Sequence, residues 1–278
     1  MGEIRIGTSG WSYREWKGVF YPNSAKPGEY LSLYSRKFSC VEIDSTYYRM
    51  PTSRMFDVVS AKAPPGFVFI VKMPAEFTHQ RRLSEAAIKR FKNGIYPILR
   101  DEKLGGFLAQ FPYSFKKSTE NLGYVGLLAA GLADYAQMFV EFRHSSWEGD
   151  ESILEYMKGM NIGYVNVDLP KIPGLPTPTS ICTSDKGSYI RFHGRVDSKT
   201  WWRPAKSRDR YAYKYKNNEL MEWVPRIKEL SSRSKSTFVI FNNHFGGYSV
   251  ENAIVCAALT GIPLKDGISI TSLDDYFL

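Results

Sequence analysis

Four short segments carry ionisable side chains at alternate positions. VEID holds Glu42 and Asp44, VEFR holds Glu141 and Arg143, YVNVD holds Asp168, and YIRFH holds Arg191 and His193. Side chains alternate between the two faces of an extended strand, so in each segment the polar set shares one face. Val41 with Ile43, Val140 with Phe142, Val165 with Val167, and Ile190 with Phe192 then take the other face. If the apolar face meets covering helices, the interior gains Glu42, Asp44, Glu141 and Asp168 against Arg143 and Arg191, with Lys72 and Gln110 added by weaker analogy. Unpaired burial would cost on the order of several kcal/mol per charge, so these groups must pair, take up a ligand or meet water. Such a set can move protons, hold phosphate on guanidinium groups, or ligate a hard cation through carboxylate oxygen. A purely structural ion network is the competing reading.

The chain has four histidines, His79, His144, His193 and His244, each at or just after a strand-like run. His193 or His144 would handle a proton, with Glu141 or Asp168 as a general base or metal ligand. HGR places Gly194 and Arg195 after the seventh run. NNHFGGYS places Asn242, Asn243, Gly246 and Gly247 after the eighth, with Ser249 as the expected N-cap of the next helix. Loop amides and a helix N-terminus at this location commonly hold phosphate in a barrel, so an anion site is expected near Gly194, Arg195, Gly246 and Gly247. Trp11, Tyr13, Trp16, Phe20 and Tyr21 follow the first run and Tyr47 and Tyr48 the second. Trp11 and Tyr47 are candidates for stacking on a ring of the substrate. Packing beneath a long loop is the alternative for most of these aromatics.

Eight strand-like runs would position these residues: Ile4–Thr8, Cys40–Asp44, Phe67–Met73, Gly106–Phe111, Met138–Arg143, Gly163–Asp168, Ser188–His193 and Thr237–Asn242. Helical stretches fill most gaps, over Gly28–Phe38, Ser53–Ala63, Ser84–Leu99, Thr119–Leu132, Glu151–Gly159, Asp209–Leu230 and Ser249–Leu259. The sixth gap, LPKIPGLPTPTS, is proline-rich and reads as an irregular loop. Eight strands joined by crossovers predict an α/β fold, a (β/α)₈ TIM barrel forming one domain over residues 1–278. A doubly wound open sheet is the alternative, but GTSGWSY matches the Gly-rich phosphate loop of such folds poorly.

Hydrophobic content of 43% and charged content of 23% exclude disorder and coiled coil. No apolar run reaches the roughly 18 residues of a membrane span, and the opening MGEIRIGTSGW lacks a leader's apolar stretch. Cys40, Cys182 and Cys256 are too scattered for a zinc pattern or a disulfide framework and suit a reducing cytoplasm. The net charge is +9, and between Asp185 and Ser236 stand 14 Lys and Arg against 6 Asp and Glu. This surplus favours an anionic partner, nucleic acid included, if it forms one face; a solvated basic helix is the bland reading.

GTSGWSYREWKGVFYP, FSCVEIDSTYYRMP, FTH, LGGFLAQFP, VEFRHSSW, YIRFHGR and FNNHFGGYSVENA together resemble the YecE-like family, also called domain of unknown function 72. The likeness runs from Gly7 to Ala253. It implies a TIM barrel without an established activity. It also implies a fold similar to endonuclease IV and sugar-isomerase barrels, from which a role with DNA has been suggested. Only four histidines are present and none forms a His-x-His pair, so a zinc cluster is not expected. A single Mg²⁺ or Mn²⁺ among Glu42, Asp44, Glu141 and Asp168 stays open. Asp44 stands where the family pattern commonly has Asn. The leading expectation is an enzyme, by fold resemblance a phosphodiester hydrolase, acting on a nucleic acid, nucleotide or other phosphate-bearing substrate. Arg143, Arg191 and Arg195 would hold the phosphate. A non-catalytic nucleic-acid-binding barrel and a sugar or sugar-phosphate enzyme are the alternatives.

Overall fold

A computed structural model describes residues 1–265. Eight parallel strands form one sheet: β1 (Glu3–Thr8), β2 (Cys40–Ile43), β3 (Val68–Lys72), β4 (Leu104–Gln110), β5 (Met138–Glu141), β6 (Gly163–Asp168), β7 (Ser188–Phe192) and β8 (Ser236–Phe241). Their spatial order is β1-β8-β7-β6-β5-β4-β3-β2. The remaining seam, between β1 and β2, is bridged by the pair Ser9 and Glu42, and Gly10 N donates to Glu42 O at 2.8 Å. This is the (β/α)₈ barrel expected from the sequence. Helices over Tyr30–Lys37, Ser53–Lys62, Glu85–Arg100, Thr119–Ala130, Glu151–Gly159, Val224–Arg233 and Tyr248–Thr260 lie between and after the strands. Side-chain oxygens of Thr52, Ser84, Ser118 and Asp150 accept from backbone N–H groups in the first turn and fix four of the helix starts.

The apolar residues form two clusters, one between strands and helices and one inside the barrel. Val41, Ile43, Val140, Phe142, Ile190, Phe192, Val239 and Phe241 belong to the outer cluster, as their alternation predicts. The inner cluster holds Cys40, Ile70, Leu108, Phe139, Tyr189, Phe238 and Ile240. Phe139, Tyr189 and Phe238 pack with ring centroids 5.1–5.9 Å apart. Gly163 and Gly187 make room for this plug, because a Cβ on either would stand within 3 Å of the Phe139 ring. The plug fills the barrel below Glu42, Glu141 and Arg191, so the charged layer rests on an apolar floor and faces the C-terminal mouth.

Three expectations are corrected. In β6 the valines point inward: Val165 and Val167 belong to the inner cluster, and Asn166 and Asp168 face outward. The reason is the sixth crossover, which is irregular as expected and offers no apolar helix to cover β6. Asn166 holds it instead, donating to Ile181 O at 3.0 Å and accepting from Thr179 Oγ1 at 2.7 Å and Ile181 N at 2.8 Å. The single helix expected over Asp209–Leu230 is broken into a turn at Ser207–Tyr211, an extended stretch, a short helix at Asn217–Met221 and the helix from Val224. Tyr215 is pinned there by Asn252, whose Oδ1 accepts from Tyr215 N and whose Nδ2 donates to Tyr215 O. The last helix is capped by Gly247 in the left-handed region (φ 89°), while Ser249 is buried within the first turn.

Candidate active site

Glu42, Glu141 and Arg191 rise from β2, β5 and β7, three strands that are not neighbours in the sheet. All three side chains are fully buried. Arg191 joins them across the lumen: Nη2 donates to Glu42 Oε1 and Nη1 to Glu141 Oε2, each at 2.6 Å. Arg143 Nε also donates to Glu141 Oε1, and Tyr189 Oη donates to Glu42 Oε2 at 2.6 Å. Lys72 stands 3.4 Å from Asp44. Three acidic side chains thus face three cations. This pairing is what burial requires, since an uncompensated charge at such a depth is strongly destabilising.

The environment sets each charge state. Burial alone would raise Glu141, but Arg143 and Arg191 outweigh it and hold the carboxyl well below its usual range. Burial, with Asp44 adding, keeps Glu42 above its ordinary value despite Arg191. Burial opposes ionised Asp44 too, yet Lys72 and Arg191 bring it below. His193 is pushed down to about 3 by burial and by Arg143, so it is neutral. Asn242 Nδ2 lies 3.0 Å from His193 Nδ1 and can only donate, which leaves the ring proton on Nε2, 3.2 Å from Glu141 Oε1.

Above this layer opens a cleft of about 370 Å³. Lys72, His79, Gln110, Arg208, Arg210 and Tyr211 line it, with Tyr47, Tyr48, Ser207 and His244. These residues come from the C-terminal ends of β2, β3, β4, β7 and β8 and the loops that follow them. The floor connects to the buried layer through Gln110, whose Oε1 accepts from Arg143 Nη2 at 3.3 Å and Arg191 Nη1 at 3.4 Å. Tyr13 stacks on His244 at 4.7 Å, and Tyr47 meets His79 edge-on at 5.0 Å. His79 is half-buried and its pKa is lowered, first by burial and then by Lys72 and Arg143.

The structure brings together Glu42, Asp44, Lys72, Glu141, Arg143, Arg191, His193 and Asn242, and it sets Tyr47 on the cleft. Other candidates lie elsewhere. Asp168 accepts from Trp223 Nε1 and Tyr215 Oη, each at 2.7 Å, on the helix-facing side. Arg195 pairs with Asp168 in a two-pronged contact and also reaches Glu222 at 3.0 Å, so acids already occupy its guanidinium group. Gly194 N donates to Tyr215 Oη, and Gly246 and Gly247 form the tight turn before the last helix, so these glycines serve the backbone of the outer shell. Asn243 donates to Tyr213 O and Asn252 Oδ1. His144 caps a turn by accepting from Ser146 N at 3.0 Å. Trp11 is partly buried against the outer cluster. A divalent cation among the four carboxylates does not fit: Asp168 lies across the sheet, and the other three each face Lys or Arg. Among the described residues, no group of three or more His, Cys, Asp or Glu could hold a metal ion.

Sequence reasoning missed Ser9 and Arg210 as site residues and placed Arg208 and Tyr211 only on a nucleic-acid-binding surface of the basic stretch. Ser9 continues the inward alternation of β1, a signal that was legible. The other three sit in the basic stretch, where a regular helical reading concealed the turn that folds them over the mouth. That stretch does not form one basic face. Arg191 is in the lumen, Arg195 is in the outer shell, and Arg208 and Arg210 are at the mouth.

Fold and site thus define an α/β barrel with a charge-balanced interior opening through a basic, aromatic cleft. The chain belongs to the DUF72 family, described as a protein of unknown function, whose pattern matches residues 5–269. It is 31% identical over 263 residues to the UPF0759 protein YunF of Bacillus subtilis (strain 168), covering 90% of this chain and 92% of that one. A DUF72 family protein from Thermotoga maritima MSB8 has a crystal structure that superposes with a TM-score of 0.84 at 37% identity, covering 93% of this chain and 99% of that one. A DUF72 family protein from Enterococcus faecalis V583 gives a TM-score of 0.83 at 26% identity, covering 94% and 96%. Among the described residues no helix is long and apolar enough to cross a membrane.

Proposed function

We propose that the protein is an enzyme acting on a small phosphate-bearing substrate held in the mouth cleft. The observation that carries this reading is the convergence of Lys72, Arg208 and Arg210 on one small cleft lined with tyrosines. Guanidinium and ammonium groups suit phosphate oxygens, and aromatic walls suit a sugar or base ring. A volume of about 370 Å³ fits a single nucleotide or sugar phosphate better than an extended strand. Asp44 and His79 are the groups placed for proton transfer: Asp44 is ionised beside Lys72, and His79 is neutral on the cleft wall. Glu141 and His193 are sealed beneath; Glu141 acts by holding Arg143 and Arg191 in place, with His193 beside it at 3.2 Å. A screen of phosphomonoesters, nucleotides and sugar phosphates tests the reading. A true substrate loses turnover by about 10²-fold or more in His79→Gln or Asp44→Asn, the usual worth of a positioned acid or base. Absence of turnover across those classes counts against it.

A second reading, nucleic-acid binding on the rim, is favoured by Lys199, Arg203 and Lys206, exposed beside the 41% exposed Trp202. Replacing these three cations with Ala then weakens DNA binding and flattens its salt dependence, while phosphate affinity in the cleft stays unchanged.

A further inference from the structure

We infer that Glu42, Ser9 and Asp44 form a relay that shares one proton between the buried charge layer and the cleft. The inference rests on the reading of Asp44 as a proton-transfer group of the cleft. The geometry that carries it is a single hydroxyl between two carboxyl groups. Ser9 Oγ lies 2.6 Å from Glu42 Oε1 and in direct contact with Asp44 Oδ2. A serine hydroxyl has one proton and can donate along only one of these contacts. The other contact joins two oxygens and requires a proton on the carboxyl group.

Ser9 does not choose this place for itself. Its N–H donates to Phe241 O at 3.0 Å, its carbonyl accepts from Tyr13 Oη at 2.8 Å, and its backbone bridges to Glu42 across the β1–β2 seam. Closure of the barrel therefore sets the hydroxyl between the two acids. The Asp44 side chain is the partly exposed end of the row, and its buried Oδ1 faces Lys72 Nζ at 3.4 Å.

The surrounding groups leave the proton to this pair. The facing cations are Lys72 and Arg191, and Arg191 stays charged. Beyond Arg191, Glu141 is held ionised by Arg143 and Arg191. Burial keeps the phenols of Tyr13, Tyr48 and Tyr189 and the thiol of Cys40 protonated, and it keeps His244 neutral. The relay assigns its resting proton to Glu42, the more deeply buried acid, whose value burial raises, and leaves Asp44, lowered by Lys72 and Arg191, as the ionised partner. Transfer moves it from Glu42 Oε1 to Ser9 Oγ as the Ser9 hydroxyl proton passes to Asp44 Oδ2. The O–H bond at Glu42 Oε1 breaks, one O–H bond forms and one breaks at Ser9 Oγ, an O–H bond forms at Asp44 Oδ2, and the negative charge moves from Asp44 to Glu42. There Arg191 Nη2 and Tyr189 Oη already donate to it. Asp44, now neutral, can protonate a leaving group in the cleft.

Infrared spectroscopy of the intact protein at neutral pH tests this without a substrate. The wild type is expected to show the C=O band of one un-ionised carboxyl group, Glu42→Gln to lose it, and Asp44→Asn to move its disappearance to lower pH, since the Asp44 charge helps to raise Glu42. In Ser9→Ala the protonated pair loses two hydrogen bonds and the ionised pair only one, so the pH at which the band disappears should fall by about one unit. No such band in the wild type, its persistence in Glu42→Gln, or an unmoved midpoint in Ser9→Ala or Asp44→Asn would each overturn the relay. The wild-type spectrum decides even if a variant fails to fold. Binding of inorganic phosphate to the cleft is measured separately, so failure of the relay and failure of the phosphate reading are distinguishable.

Discussion

Arg191 Nη1 donates to Glu141 Oε2 at 2.6 Å with both side chains fully buried. The other terminal nitrogen of the same guanidinium holds Glu42, so one planar group joins β2, β5 and β7 across the lumen. The pair is a strut as much as a site component, and its removal has a calculable consequence. Arg191→Met keeps much of the volume but leaves buried Glu42 and ionised Glu141 short of a partner. It should lower stability by about 3–5 kcal/mol, the usual cost of breaking a buried ion pair. Urea unfolding checks this, and a loss below about 1 kcal/mol, the level of an exposed pair, would contradict the strut.

Asp168 provides the opposite case. It is fully buried, but its partners are Arg195, Tyr215 and Trp223 in the outer shell. Asp168→Asn should destabilise the protein by about 1–3 kcal/mol through unsatisfied donors, with phosphate affinity in the cleft unchanged. A selective loss of phosphate binding in a stably folded Asp168→Asn variant would restore it to the site.

The contrast between these residues shows what alternation along a strand can and cannot reveal. It correctly grouped Glu42 with Asp44, Glu141 with Arg143, and Arg191 with His193, because on β2, β5 and β7 the valines, isoleucines and phenylalanines meet the outer apolar layer. On β6 the grouping was right and the side was wrong. Period 2 states which residues share a face; what covers that face decides which way it points. The cover of β6 is a proline-rich loop whose polar backbone is held by Asn166, and nothing local in YVNVD encodes that. The cleft was less legible for a similar reason. Arg208 and Arg210 reach the mouth because a turn at Ser207–Tyr211 replaces the start of the helix expected from Asp209.

His193 makes stability depend on pH. Its value falls from 6.5 to about 3 on folding, led by burial. A group depressed in the folded state contributes stability that is complete above its unfolded value and is lost as pH falls. Between pH 6.5 and the ordinary glutamate value of 4.5, the unfolded chain takes up a proton that folded His193 refuses. Unfolding in that window should therefore become easier as pH drops, and His193→Gln should flatten the slope by about one proton. An unchanged slope in the variant would show that His193 titrates freely.

The claim that the cleft is an anion site is tested most directly by titrating the protein with inorganic phosphate and locating it in crystals soaked with the same ion. Phosphate should bind between Lys72, Arg208 and Arg210. Lys72→Ala and Arg208→Ala should each weaken binding by about tenfold, since a charge-assisted hydrogen bond is worth about 1.5–3 kcal/mol. Phosphate found instead at Gly194, Gly246 and Gly247, with affinity indifferent to Lys72 and Arg208, would contradict the account.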